Sequence, residues 1–238
     1  RFPEVALITT QGFRHILEIA RQTVPGERGS IYHWTKPSRV VPLERVYEIT
    51  ERISASGEVI VPLDQEQGRN LARQLKAEGI EVAAVSLINS YASTRHEDQI
   101  RRILLEEHPS LFLATSSETL CEFREYERTL TTCINAVLMP LVSSYLNALS
   151  HRLQELGGKS PLFVMKSAGG VVTADRAAAE PLSTALSGPA AAVLGMAWLG
   201  RQSGFENIIS FDMGGTSTDV ALIESGRLPI TPEAELDI

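Results

Sequence analysis

Cysteine is scarce in this 238-residue chain: Cys121 and Cys133 are the only two, with no CxxC spacing and no flanking histidine pair. That pattern excludes a disulfide framework and a zinc site of the usual spacing, and a reducing cytoplasm is the expected setting. The five histidines, His15, His33, His96, His108 and His151, show no metal-ligand spacing either and are expected on the surface or in packing. No Lys/Arg run is long enough to follow a phosphate backbone and the net charge is −7, so nucleic acid is not an expected partner. No apolar run approaches the roughly 18 to 20 residues of a spanning helix, so no membrane partner is expected.

What is present is an alternation of short apolar runs and amphipathic stretches, and 43% apolar residues can fill one large or two modest cores. Residues 5–9 read as a buried strand feeding a helix over 12–22, with Phe13, Ile16, Leu17 and Ala20 on one face. A loop opened by Pro25, Gly26 and Gly29 runs through Tyr32, His33, Trp34 and Lys36, which line a cleft or simply pack. Residues 45–53 and 58–62 flank a Ser-Ala-Ser-Gly turn, a β-hairpin signature expected at a sheet edge. Asp64 caps a helix that buries Leu71 and Leu75 and stops at Gly79, and residues 82–88 are apolar on both faces, as in a central strand. Thr94 and Glu97 have capping-box spacing before a helix carrying Ile100, Ile103 and Leu104, which Pro109 closes ahead of a strand over 111–114. This is βαβ grammar with parallel strands. Residues 116–119 read as a crossing between domains, dividing the chain into 1–117 and 118–238.

The longest periodic segment, Leu130 to Leu153 by way of Cys133, Val137, Leu141, Tyr145 and Leu149, fits one helical face. Pro140 within it predicts a kink or break near Val137, and Cys133 on the stripe reads as a buried core thiol.

Residues 207–223 carry the chemistry: an apolar run, an acidic glycine-threonine turn, and a second apolar run. Gly214 and Gly215 let the backbone fold tightly and approach a ligand, so their N–H groups, with those of Thr216 and Ser217, can point at phosphate oxygens. Asp212, ending the first strand, can hold the magnesium ion that accompanies a nucleotide. A P-loop is a poor alternative, because the turn lacks Gly-Lys-Ser/Thr and a strand follows it. A plain turn rich in glycine and threonine is the competing reading. Gly188 and Pro189 open an apolar helix whose first N–H groups suit an anion, although its alanines equally suit tight packing on a sheet. Lys166, Gly169 and Gly170 follow a strand over 162–165, placed to meet the same cleft. Arg124 and Arg128 stand either in a solvated helix start with local ion pairs or in an anion site oriented by Glu125 or Glu127.

Taken in order, Phe163 to Thr173, Leu186 to Gly195 and the aspartate hairpin resemble the hydantoinase A and 5-oxoprolinase family, as do Thr9 to Arg14, Leu17 to Gln22 and Arg124 to Thr129 upstream. That family is similar to the actin, sugar-kinase and Hsp70 group. The resemblance implies an α/β fold with mixed sheets flanked by helices, of ribonuclease H-like or actin-like ATPase architecture. It implies use of ATP with Mg²⁺ and ring opening of a cyclic amide (hydantoin, N-methylhydantoin or 5-oxoproline) through phosphorylation of the amide oxygen. In that scheme Asp212 and Thr216 are catalytic, Gly214, Gly215, Ser217, Thr218, Gly188, Gly169 and Gly170 bind the nucleotide, and Lys166, Arg124 and Arg128 meet substrate. A B-type subunit or domain and an oligomeric assembly are the expected partners. The alternatives are a β-type subunit of an acetone or acetophenone carboxylase and an ATP-binding regulatory or chaperone-like module. Family members also carry an earlier Asp-x-Gly-Gly-Thr-x-Thr-Asp turn and a later glycine-rich stretch. Neither occurs in this sequence, so the chain is expected to be a central fragment of a longer protein. Lys166 and Ala168 replace the family's usual glutamine and asparagine, which leaves the substrate open.

Overall fold

The computed structural model describes residues 3–21, 39–215 and 218–228, so the expected aromatic and basic loop over 32–37 lies outside the described residues. The chain divides into two compact units, 1–142 and 143–238, and the division expected near residue 117 falls inside the first.

The first unit is built on four parallel strands: β1 (Ala6–Thr10), β2 (Val46–Ile49), β5 (Val82–Ser86) and β6 (Phe112–Thr115), in the order β2-β1-β5-β6. Ile8 of β1 sits between Tyr47 of β2 and Val85 of β5. Every residue of β1 and β5 is buried, which requires cover on both faces. Alternation along β1 shows how this is met. Ala6 and Ile8 join Leu71 and Leu75 of α2 (Gln65–Ala77) and Ile100 and Leu104 of α3 (Arg95–Glu107) in one core. Val5 and Leu7 point the other way, into a second core with Cys133 and Ala136 of α5 (Glu125–Glu155). The result is a three-layer unit with helices on both sides of a parallel sheet.

Local signals mostly act as the sequence indicates. Asp64 accepts a 2.9 Å hydrogen bond from the Gln67 N–H at the start of α2, and Gly79 ends that helix at φ +70. The expected hairpin is shorter than its sequence pattern. Only β3 (Arg52–Ile53) and β4 (Val59–Val61) pair antiparallel, because the preceding residues are drawn into the parallel sheet beside β1. The first helix is also short, α1 (Ile16–Ile19), since Gly12 turns at φ +90 and Ala20 leaves the helix at φ 50. Residues expected to cross between domains form α4 (Ser116–Thr119) inside the first unit.

The capping box at Thr94 does not form. Thr94 makes no capping bond to the backbone, and its hydroxyl donates instead to Asp98 at 2.7 Å. Glu97 turns inward and accepts hydrogen bonds from the Leu87 N–H (2.9 Å), the Ser116 hydroxyl (2.6 Å) and the Ser117 N–H (2.8 Å). Two buried donors and one half-buried one outcompete a single exposed one.

Of the kink or break expected near Val137, a break does not occur: α5 is continuous through Pro140. One lost backbone bond costs about 3 kcal/mol, and burial of Cys133, Ala136 and Leu146 along the helix offsets it. By length and composition α5 is also apolar enough to cross a membrane, which no uninterrupted apolar run had suggested. Within the first unit, however, its apolar side is core.

The second unit holds the end of α5, an antiparallel hairpin of β7 (Phe163–Met165) and β8 (Val171–Thr173), α6 (Ala174–Ala179), α7 (Ser187–Gln202), and a second antiparallel hairpin of β9 (Ile208–Met213) and β10 (Thr218–Ile223). Where α7 meets β9, Gly200 leaves no room for a side chain. A Cβ there would lie 2.0 Å from Ile208 Cδ1 and 3.0 Å from the Phe205 carbonyl oxygen. Gly200→Ala is expected to lower stability in urea unfolding by about 1 to 3 kcal/mol through overpacking. Gly195→Ala, which meets no atom within 4 Å in the same helix, should show no such loss.

The two cysteines separate cleanly. Burial pushes the Cys133 thiol up to about 12, while Cys121 is exposed. A thiol reagent at pH 8 should therefore modify Cys121 alone in the native chain, because Cys133 has almost no thiolate below its raised pKa. Its modification should appear only on unfolding, and two fast equivalents in the native state would contradict this packing.

Candidate phosphate and metal site

Pairing in the second hairpin places Asp212 directly opposite Asp219 and Ser210 opposite Ala221. Strand periodicity then sets Ser210, Asp212 and Asp219 on one face and Ile209, Phe211, Met213, Val220 and Leu222 on the other. The polar face turns toward α7. Ser210, Phe211, Asp212 and Asp219 line a cavity of about 420 Å³ with Pro189, Ala192, Val193 and Met196 of that helix. Gly214 and Gly215 follow Asp212, and a Cβ on Gly215 would meet no atom within 4 Å, so that backbone is open to approach. Thr216 and Ser217 lie outside the described residues, and Thr218 begins β10.

Two like charges directly opposite on neighbouring strands repel. A cation removes that penalty. Among the described residues no group of three or more His, Cys, Asp or Glu side chains gathers into a metal cage. The Asp212 and Asp219 pair instead fits magnesium, which keeps several waters and takes one or two carboxylates together with phosphate oxygens. The donor set is entirely oxygen, as a hard cation requires.

The start of α7 sits beside this face. Leu186 precedes it in a left-handed conformation, φ 59, and no side chain caps the first turn. Its leading N–H groups are therefore left without a side-chain acceptor, and Pro189, with no N–H, falls where none is needed. Gly188 lies in that first turn.

The other residues singled out from the sequence take different positions. Gly169 (φ +85) and Gly170 (φ +77) form the β7 to β8 turn with Lys166, whose N–H donates to the Gly170 carbonyl at 3.0 Å. A Cβ on Gly169 would stand 3.3 Å from Leu194 Cδ1. At about 100° per residue, Leu194 projects from the flank of α7 opposite Ala192, Val193 and Met196. The turn therefore packs on α7 and stays out of the cavity that holds Asp212.

Arg128 is fully buried within the first unit. Its guanidinium donates to the Glu122 carbonyl (2.7 Å) and the Leu87 carbonyl (3.0 Å), with Glu125 at 3.9 Å and the Tyr91 ring at 5.6 Å. Burial pulls its pKa below the ordinary arginine value. Arg128 thus ties the end of β5 to the start of α5, and the solvated helix start does not describe it. Arg124 is exposed, at φ 69, and covers the Phe123 ring.

A buried polar network was missed. At the carboxyl ends of β1, β5 and β6, Thr10 donates to Glu51, His96 pairs with the other Glu51 oxygen at 2.6 Å, and Glu97 takes its three bonds nearby. Burial pushes the Glu97 carboxyl above the usual range and its donors pull it back. Nothing in the local sequence distinguishes Glu97 from a capping glutamate. Removing Arg128 leaves the Glu122 and Leu87 carbonyls without their donor. Arg128→Met is expected to cost about 1 to 3 kcal/mol in chemical unfolding, the scale for leaving buried acceptors unsatisfied. A loss below about 1 kcal/mol would place the residue outside the framework.

A parallel sheet flanked by helices, followed by antiparallel hairpins and further helices, makes a mixed α/β fold of the actin-like ATPase kind. Residues 1–108 match the model of the hydantoinase/oxoprolinase N-terminal region and residues 128–237 match that of hydantoinase/oxoprolinase. The chain belongs to the hydantoinase/oxoprolinase family. It is similar to a solved nucleotide-free acetone carboxylase (TM-score 0.82, 28% identity, 99% of this chain and 34% of that one). A second solved relative is the ATP-dependent caprolactamase of Pseudomonas jessenii (TM-score 0.77, 26% identity, 93% of this chain and 32% of that one). It is 33% identical to 5-oxoprolinase 1 of Arabidopsis thaliana over 91% of this chain and 18% of that protein. The chain thus spans about a third or less of the length of these relatives.

Proposed function

We propose that the chain contributes the phosphate and metal hairpin of an ATP-dependent enzyme that opens a cyclic amide. The observation that carries this reading is the opposition of Asp212 and Asp219 on the face turned to the start of α7. An amide carbonyl is a poor electrophile, and Mg²⁺-ATP supplies the phosphoryl group that activates its oxygen toward water. The hairpin's part is electrostatic and positional. Asp212, with Asp219 beside it, holds the metal. The N–H groups of Gly214 and Gly215, with Thr216, Ser217 and Thr218, cradle phosphate oxygens, and the first turn of α7 at Gly188 adds its uncapped donors. Thr216, which follows the two glycines in the sequence, is the proposed catalytic hydroxyl of the whole protein. Lys166, half-buried with Gly169 and Gly170 beyond α7, is a proposed substrate contact of the whole protein. No side chain needs to act as a nucleophile.

The family matches, ending at residue 108 and resuming at 128, support two functional regions that meet near residue 117. The name caprolactamase subunit alpha supports a B-type partner subunit or domain for this chain as well. The higher TM-score to acetone carboxylase favours a second reading, in which the same hairpin serves activation of a ketone or bicarbonate. A substrate panel of hydantoin, N-methylhydantoin, 5-oxoproline, caprolactam, acetone and acetophenone, each with ATP, separates the two.

The metal assignment is tested in the whole protein with Asp212→Asn, which removes the charge and nearly keeps the shape. Turnover is expected to fall by about two orders of magnitude or more, the scale for losing one electrostatic catalytic contact, with unfolding stability little changed. Near wild-type rates at limiting Mg²⁺ would make the hairpin structural.

A further inference from the structure

The connections of the first unit part at one edge of its sheet. After β1 the chain turns into α1, whose Leu17 packs in the core on the α5 side, and after β5 it turns into α3, whose Ile100 and Leu104 pack in the opposite core. β1 and β5 are neighbours and run parallel. Adjacent parallel strands that send the chain to opposite faces leave a crevice outside their carboxyl ends, the usual place for a ligand in such a sheet. Register fixes what stands there. Thr9 of β1 pairs with Glu48 of β2 on one side and Ser86 of β5 on the other, so these side chains form a row on the α5 face, about 4.8 Å apart from strand to strand.

Thr9 is the unsatisfied member of that row. Its hydroxyl is fully buried and has no hydrogen-bond partner among the described residues. Thr10, on the opposite face, has two: it accepts from the Ile88 N–H at 2.9 Å and donates to Glu51. Ser86 shares a 2.7 Å hydrogen bond with the Thr129 hydroxyl. Glu48, half-buried, accepts from the Gly12 N–H at 2.6 Å through one oxygen, and its second oxygen has no donor among the described residues. Gly12 is exposed at φ +90, and a Cβ there would meet no atom within 4 Å, so the turn leaves the end of β1 open to approach. A buried hydroxyl left unpaired loses its hydration for nothing, and native chains keep one chiefly where another group completes it. We propose that this crevice binds a small uncharged cyclic amide, whose carbonyl accepts the Thr9 proton and whose N–H donates to the second Glu48 oxygen. An anion would meet the Glu48 carboxylate, and an ammonium leaves the Thr9 proton unpaired. The adjacent C=O and N–H of a ring-held cis amide supply both partners. The choice of an amide rests on the reaction proposed above, whereas the site rests on strand order and the unpaired Thr9 hydroxyl.

Thr9→Val tests it, because valine copies the shape of threonine without the hydroxyl. Binding of caprolactam and of hydantoin to the whole protein, without nucleotide, is followed by ligand-observed NMR titration, with urea unfolding of each variant alongside. Thr9→Val is expected to unfold at the same or a higher urea midpoint and to weaken amide binding by about tenfold, the scale of one net hydrogen bond. N-methylcaprolactam, which lacks the N–H, should bind the natural protein about tenfold more weakly than caprolactam. Glu48→Gln, in which Gly12 keeps its acceptor and an N–H faces the ligand, should remove that difference. Amide binding unchanged by Thr9→Val would overturn the proposal. So would a lowered unfolding midpoint in that variant, which would make the hydroxyl structural, or Thr9-dependent binding of a polyol such as erythritol in preference to both amides. Thr9-dependent amide binding in a protein that shows no ATP-driven ring opening would keep the site and remove the reaction. Ring opening with a KM indifferent to Thr9→Val would do the reverse.

Discussion

Antiparallel pairing of Asp212 with Asp219 is the constraint from which the site follows. Once two strands are joined by a short glycine turn, period-two alternation leaves no freedom over which residues share a face. The acids and Ser210 go one way and five large apolar side chains go the other. Slipping one strand by a single residue would separate the carboxylates and place an apolar residue in the cavity. The same register thus supplies a reason for a cation.

The second requirement is a helix that can come close. Gly200 allows α7 to lie against Ile208 with no side chain between them, and Ala192 and Val193 keep the cavity wall small. Close approach brings the uncapped first turn of α7, with Gly188 and Pro189, to the acidic face. Positive N–H dipoles and negative carboxylates side by side suit a metal-bound phosphate, whose parts carry both signs. The first unit is held together by different means, chiefly a parallel sheet buried on both faces and the Arg128, Glu97 and Glu51 to His96 contacts at its carboxyl end.

Much of this was legible in the sequence because local chemistry and tertiary structure agree there. The glycines after Asp212 and the alternation on either side of them specify a strand, a turn and a strand. The double-sided apolar run at 82–86 specifies a central strand, and Asp64 and Gly79 specify the ends of α2. The rest turns on contacts between residues far apart in the chain. Glu97 has capping-box spacing, yet donors from Leu87, Ser116 and Ser117 compete for it successfully. Arg128 stands in a charged cluster that reads as solvated, and only the fold reveals the carbonyls it reaches. The glycine turn at 169–170 resembles a ligand loop, but which flank of α7 it meets depends on helix phase, invisible without coordinates. Pro140 gives the same lesson in reverse, since its local cost is absorbed by burial along a 31-residue helix.

The central claim is that Asp212 serves a metal-bound nucleotide. Calorimetric binding of a non-hydrolysable ATP analogue to the whole protein, with and without Mg²⁺, tests it most directly, comparing the natural residue with Asp212→Asn. The account predicts that Mg²⁺ strengthens binding to the natural protein and that the substitution removes most of that gain, by about tenfold or more, equivalent to about 1.4 kcal/mol. An unchanged Mg²⁺ dependence in the Asp212→Asn protein would contradict it.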